Sequence, residues 1–197
     1  MMTTGNFSLY IHIPFCHKKC PYCHFYVLSN TTSAQEALAK GLLKEWTLRK
    51  GPFKDSSLKS IYFGGGTPSL MPPSFFETFL RELSKDYDLQ GCEVTLEGNP
   101  SDLDKKKLYD LRKVGLNRVS IGVQSLDDDL LSILGREHNA SDAKNVIYDA
   151  NEAGFDNITI DLMYDIPEQT LSSWEKTLQA TTELPITHIS LYNLTFE

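Results

Sequence analysis

Cys16-His17-Lys18-Lys19-Cys20-Pro21-Tyr22-Cys23 sets three thiols in a CxxxCxxC spacing. Thiolates are soft ligands suited to iron–sulfur clusters and to zinc. In a chain without an export signal, so compact a set reads as a metal site rather than a disulfide framework. Three thiolates can hold three irons of a four-iron cluster and leave the fourth open to a ligand. A closed zinc site completed by His12, His17 or His24 competes with that reading. A redox pair at Cys20 and Cys23 is a weaker rival, because such a pair normally opens a helix and needs no third thiol. Cys92 stands apart and reads as a small buried hydrophobe.

Gly64-Gly65-Gly66-Thr67-Pro68 is the second signal, since consecutive glycines let a backbone approach a ligand closely, although a tight turn alone would also use them. Glu97, Gln124 and Asp161 lie at or just past expected strand ends, and Arg136 follows in the loop and helix region after Gln124. Singly they read as a turn residue, a solvated charge or a helix cap. Sharing one site, they would offer a carboxylate to a ribose diol, and an amide and a guanidinium to a carboxylate or ring edge. S-adenosylmethionine has those needs. Asp127-Asp128-Asp129 reads as the acidic start of a helix, and His138 and His188 have no spacing partner.

These residues must be positioned by the elements between them. Candidate strands run from Leu9 to Ile13, Ser60 to Phe63, Glu93 to Leu96, Arg118 to Ile121, Asn157 to Asp161 and His188 to Tyr192. All are mainly apolar, as expected of parallel strands buried on both faces. Helical patterns lie between them. Ser33 with Glu36 forms a capping box before Leu38, Leu42 and Trp46, while Phe76, Phe79, Leu80 and Leu83 recur at helical spacing. Gly115 and Gly154 are expected to close two later helices, and the segments 114–121 and 153–160 match in type as a weak internal repeat. An eight-unit barrel takes about 250 residues, so six units need roughly 190, and the expected fold is α/β, a partial (β/α)6 TIM-like barrel. The loops bearing the cysteines and glycines then fall at its carboxyl-end mouth. A doubly wound sheet ranks second, for want of a GxGxxG or GxxxxGK[ST] loop.

The chain has 197 residues and a net charge of −7, which disfavours a broad nucleic-acid face. No stretch approaches the roughly 20 apolar residues of a membrane span, and the first residues, Met1 to Asn6, do not read as a leader. A cytoplasmic location is expected. Leu194-Thr195-Phe196-Glu197 follows the sixth strand directly, so the chain reads as one core domain over 1–197, cut short before any C-terminal domain.

On these residues the chain resembles the radical-SAM family, and within it the coproporphyrinogen oxidase/HemW group. The resemblance runs through Tyr10-Ile11-His12-Ile13-Pro14-Phe15-Cys16, Gly64 to Pro68, Glu97-Gly98-Asn99-Pro100, Ser120 to Ser125, Gly135-Arg136 and Asp161 to Tyr164. It implies that Cys16, Cys20 and Cys23 ligate a 4Fe-4S cluster. It also implies that Tyr10, Gly65, Gly66, Thr67, Glu97, Gln124, Arg136 and Asp161 contact S-adenosyl-L-methionine, with Tyr22 packed beside the cluster. Reductive cleavage of the sulfonium bond to a 5′-deoxyadenosyl radical is implied for the full-length protein, with a flavodoxin- or ferredoxin-like electron donor. Oxygen-independent coproporphyrinogen oxidases resemble one another in a fourth cysteine where Phe25 stands here, and in a long segment where nine residues precede Tyr10. The resemblance therefore favours a HemW-type haem chaperone, with haem-accepting proteins as partners, over oxidative decarboxylation of coproporphyrinogen. The HNxxYW haem motif of that type does not occur in this sequence. An inert fragment is the third reading. Asp165 stands where relatives usually carry glycine; if that glycine serves a positive φ, Asp costs some stability there, although it tolerates such angles better than most residues.

Overall fold

A computed structural model describes residues 5–195. The main sheet has six parallel strands: β1 (Asn6–Ile13), β4 (Ser57–Gly65), β5 (Glu93–Gly98), β6 (Arg118–Gln124), β7 (Asn157–Tyr164) and β8 (His188–Asn193), paired in that order. A two-stranded pair, β2 (Phe15–Cys16) with β3 (Leu28–Ser29), brackets the cysteine loop. The helices are α1 (Thr32–Arg49), α2 (Pro73–Leu83), α3 (Lys105–Lys113), α4 (Asp128–Ile133), α5 (Ala140–Glu152) and α6 (Leu171–Thr181). Parallel neighbours need crossovers, and the helices supply them. The sheet curls into the expected (β/α)6 half-barrel. Phe196 and Glu197, which belong to the terminal segment singled out above, and Met1 to Thr4 lie outside the described residues. Among the described residues, no helix is long and apolar enough to cross a membrane.

Two expectations need correction. The strands are not apolar on both faces. Ile11, Ile13, Ile61, Phe63, Val94, Leu96, Val119, Ile121, Ile158 and Ile160 point outward into one core shared with the helices. The residues between them, such as Tyr10, Tyr62, Thr95, Glu97, Ser120, Thr159 and Asp161, line the inner face. An open half-barrel exposes that face to a ligand cavity, so it stays polar. The cap of α1 also differs. Thr31, not Ser33, accepts from the Ala34 amide at 3.2 Å, and the helix starts before the anticipated box.

Other patterns hold. Phe76, Phe79, Leu80 and Leu83 are buried, and the Phe63 ring meets Phe75, Phe76 and Phe79 at centroid distances of 5.0–6.2 Å. Gly115 (φ 111) and Gly154 (φ 90) follow α3 and α5 in the conformation that lets the chain reverse into the next strand. Asp127 caps α4 through the amides of Asp129 and Leu130. Asp165 has φ 60, and its carboxylate accepts from Asn193 at the end of β8.

Candidate functional site

The carboxyl ends of the strands open onto a cavity of about 520 Å³. Cys16, Cys20, Cys23, Tyr10, Gly65, Gly66, Thr67, Glu97, Gln124, Arg136 and Asp161 all line it. The geometry thus brings every residue anticipated for the site to one wall system.

Cys16 ends β2. Cys20 and Cys23 lie in the loop beyond it, in a turn closed by the Cys23 amide on the Cys20 carbonyl at 3.0 Å. All four cysteines of the chain are free thiols. Burial pushes the Cys16 thiol up, and the nearby Cys23, Cys20 and Asp102 add to that, against a hydrogen bond with Thr67. A half-buried thiol whose charged form is disfavoured by burial and by its neighbours is an electrostatic situation that a bound metal centre relieves. Among the described residues, no three His, Cys, Asp or Glu side chains converge closely enough to hold a single metal ion. The thiols share a cavity wall without meeting at a point.

The glycine run has a steric reason within the chain itself. A Cβ on Gly65 would come 2.6 Å from the His12 ring, and one on Gly66 would come 2.6 Å from the Phe15 carbonyl oxygen. Gly65 also has φ 116. The run is therefore both a required tight approach of β4 to β1 and part of the cavity lining.

Glu97, on the inner face of β5, accepts from Tyr62 Oη at 2.6 Å and from the Gly65 amide at 3.1 Å. Burial outweighs these bonds and raises its carboxyl above the usual range. Asp161 is not at the end of β7, which runs on to Tyr164, and it caps no helix. Its Oδ1 lies 3.3 Å from Ser120 Oγ on the inner face, and burial raises it too. Gln124 is the last residue of β6 and holds φ 67. A non-glycine residue in that conformation at a cavity is a local strain of the kind found at functional sites. Tyr10 stacks on Tyr62 at 5.9 Å and bonds His12 Nδ1 at 3.3 Å.

One residue of this network was quoted only as part of a motif. Asn99 donates from Nδ2 to Thr67 Oγ1 (3.2 Å) and to Asp102 Oδ2 (3.4 Å), and accepts from Arg136 Nη2 (2.6 Å). Thr67 touches Cys16 Sγ at 3.4 Å, and Arg136 reaches Cys20 Sγ at 3.6 Å and Tyr22 Oη at 3.5 Å. Asn99 therefore ties together the groups that contact two of the thiols. Asp102, its side chain 6% exposed, adds His17 of the cysteine loop at 3.4 Å. The signal was Asn99 directly after the β5 end, two residues past Glu97.

Thiols, carboxylates and a guanidinium at the mouth of a parallel half-barrel define a class, a β/α-barrel protein built to hold a metal centre and a polar cofactor side by side. The Radical SAM superfamily model matches residues 10–181. The chain belongs to the radical SAM superfamily. It is similar to the protein named heme chaperone HemW of Haemophilus influenzae, at 39% identity over 96% of this chain and 51% of that one. It is also 39% identical to the radical S-adenosyl methionine domain-containing protein 1, mitochondrial, of Danio rerio, over 96% of this chain and 43% of the relative. The coproporphyrinogen III oxidase (HemN) of Escherichia coli superposes with a TM-score of 0.87 at 29% identity, covering 95% of this chain and 44% of that one. The chain spans about half the length of the curated relatives it matches.

Proposed function

We propose that this chain is the cluster- and S-adenosylmethionine-binding core of a HemW-type haem chaperone. The observation that carries the reading is the convergence of three free thiols and a polar, carboxylate-bearing inner face on one cavity. The donor set fits both groups. Cys16, Cys20 and Cys23 would hold three irons of a 4Fe-4S cluster and leave the fourth open to a ligand. Glu97 and Asp161 present acceptors for hydroxyl groups, Arg136 and Gln124 offer donors to a carboxylate or ring edge, and Tyr10, Gly65, Gly66 and Thr67 complete the wall. When bound, the cluster supplies the electron for reductive cleavage of the sulfonium. The chain's own part is to orient the cofactor: Asn99 fixes Thr67 and Arg136 against the thiols, and Tyr62 fixes Glu97.

Haem as cargo, a flavodoxin- or ferredoxin-like electron donor and haem-accepting proteins as partners follow from the likeness to HemW. Four unbridged cysteines suit a reducing compartment such as the cytoplasm. The structural likeness to HemN supports a second reading, oxidative decarboxylation of coproporphyrinogen.

Iron, sulfide and zinc content after anaerobic reconstitution tests the site, with Cys20→Ser beside the wild type. We expect about four irons and four sulfides per chain in the wild type and their loss in the variant; stoichiometric zinc instead would overturn the reading. For the longer protein, haem binding without turnover of coproporphyrinogen III is expected, and turnover would shift the assignment to the oxidase.

A further inference from the structure

The inner face of the half-barrel carries a cation that the cavity mouth does not account for. Arg118, with its side chain 16% exposed, stands on β6 two residues before Ser120. It donates from Nη1 to Thr95 Oγ1 on β5 (3.2 Å) and from Nη2 to Thr159 Oγ1 on β7 (2.8 Å). One guanidinium thus spans three adjacent strands. One layer nearer the mouth, Glu97 is in register with Ser120, and Ser120 Oγ meets Asp161. Two half-buried carboxylates flank the same strand from which Arg118 projects.

Withdrawing a guanidinium from water costs several kcal/mol unless charge compensates it. Among the described residues its one ion-pair contact, Glu93 Oε1, lies at 3.9 Å and is half exposed. The two threonine hydroxyls solvate it, and the nearest further negative groups on this face are the carboxylates of the layer above. Asp161 pushes the Glu97 carboxyl up beyond the effect of burial, whereas Arg118 pulls both carboxyls down. The other titratable groups facing this layer are Tyr10 and His12 on β1, Tyr62 on β4, and His188 and Tyr192 on β8. Arg136, the guanidinium that lines the cavity, is held at the mouth by Asn99 and the Gly122 carbonyl.

We propose that Arg118 is a positioning residue of the cofactor site, supplying from the floor of the half-barrel the fixed positive charge that Glu97 and Asp161 share. The inference rests on the reading of the cavity as an S-adenosylmethionine site. A carboxylate accepts hydrogen bonds at both oxygens and attracts the cofactor's sulfonium and ammonium groups; a protonated carboxyl gives up one acceptor and the charge. Without Arg118, both carboxyls bind protons at higher pH, and the cofactor must compete with those protons. Arg118 touches no ligand atom in this scheme and acts through its two neighbours.

The test is equilibrium binding of S-adenosylmethionine, by calorimetry, to the cluster-reconstituted chain from about pH 6 to about pH 8.5, with Arg118→Gln and Arg118→Lys beside the wild type. Gln removes the charge and keeps a donor for one threonine, whereas Lys keeps the charge. We expect Arg118→Gln to weaken binding by about tenfold or more at about pH 6, the loss shrinking as the pH rises. Arg118→Lys should recover the wild-type pH profile. A loss equal at every pH would mark a merely structural role and overturn the proposal, as would no loss at all. If Arg118→Gln does not retain the cluster, Arg118→Met, which keeps most of the aliphatic stem and removes the charge, carries the same comparison in the same direction. A wild-type protein that takes up the cluster but binds no S-adenosylmethionine at any pH would overturn the reading of the site itself.

Discussion

Gly66 shows how a single residue serves both the fold and the site. Its missing Cβ is what lets the end of β4 lie against Pro14 and Phe15, whose backbone leads directly into Cys16. A methyl group there would sit 2.6 Å from the Phe15 carbonyl oxygen and 2.9 Å from the Pro14 carbonyl carbon. Both are main-chain atoms, so the strand must move. For Gly66→Ala we expect a loss of about 1–3 kcal/mol of stability in urea unfolding, together with a lower iron content after reconstitution, because the displaced segment carries the first thiol. Unchanged iron and stability would show that the approach of the two strands is slack. Gly65-Gly66 was legible as a special backbone site from composition alone. That the crowding comes from His12 and Phe15 was not, because those contacts join strands separated by some fifty residues of chain. Asn99 was missed for the same reason: two of its three partners, Thr67 and Arg136, come from other loops and only the fold assembles them.

At the scale of elements, six strands and their approximate limits were readable from short β-branched runs, but their inner faces were read too simply. Leu9-Tyr10-Ile11-His12-Ile13 and Ile158-Thr159-Ile160-Asp161-Leu162 alternate strictly in the sequence. That period of two marks one face toward helices and the other toward a polar cavity. The start of α1 was misplaced by a capping-box pattern that Ser33 and Glu36 satisfy on paper. In the structure Gln35 Nε2 donates to Asn30 Oδ1 at 2.7 Å and to the Leu70 carbonyl at 3.1 Å. These bonds secure the first turn upstream of Ser33 and leave Thr31 as the cap. Thr31→Ala should therefore cost about 1 kcal/mol in chemical denaturation, whereas Ser33→Ala should stay within about 0.5 kcal/mol. The opposite ranking would restore the box at Ser33.

At the scale of the whole molecule, buried ionisable groups couple stability to pH. His138, 5% exposed, bonds the Val123 carbonyl through Nε2 at 3.1 Å and links the segment after α4 to β6. Burial, and then Arg136, push its pKa from 6.5 down to about 4. The unfolded chain therefore binds this proton more readily than the folded one. The contribution is full above about pH 6.5 and is lost as the pH falls toward 4. His138→Gln can keep the hydrogen bond without the titration. Relative to that variant, we expect the wild type to lose up to about 3 kcal/mol between about pH 7 and about pH 4, read as the difference of two urea-unfolding series. Glu97, Asp102 and Asp161, raised by burial, contribute slopes of the opposite sign. They are common to both proteins and cancel in the difference, so parallel series would show His138 to be exposed to protons in the folded state. The sequence by itself determined the thiol set, the order of the six main strands, and the cavity positions of Glu97, Gln124, Arg136 and Asp161, because local spacing and the rule that β/α loops gather at one barrel end are properties of consecutive residues; Tyr10 entered only through the family resemblance. Only the tertiary structure decided the polar inner face with Arg118 beneath two carboxylates, the Asn99 network and the burial of His138, because each depends on side chains from strands and loops that meet only when the sheet has curled.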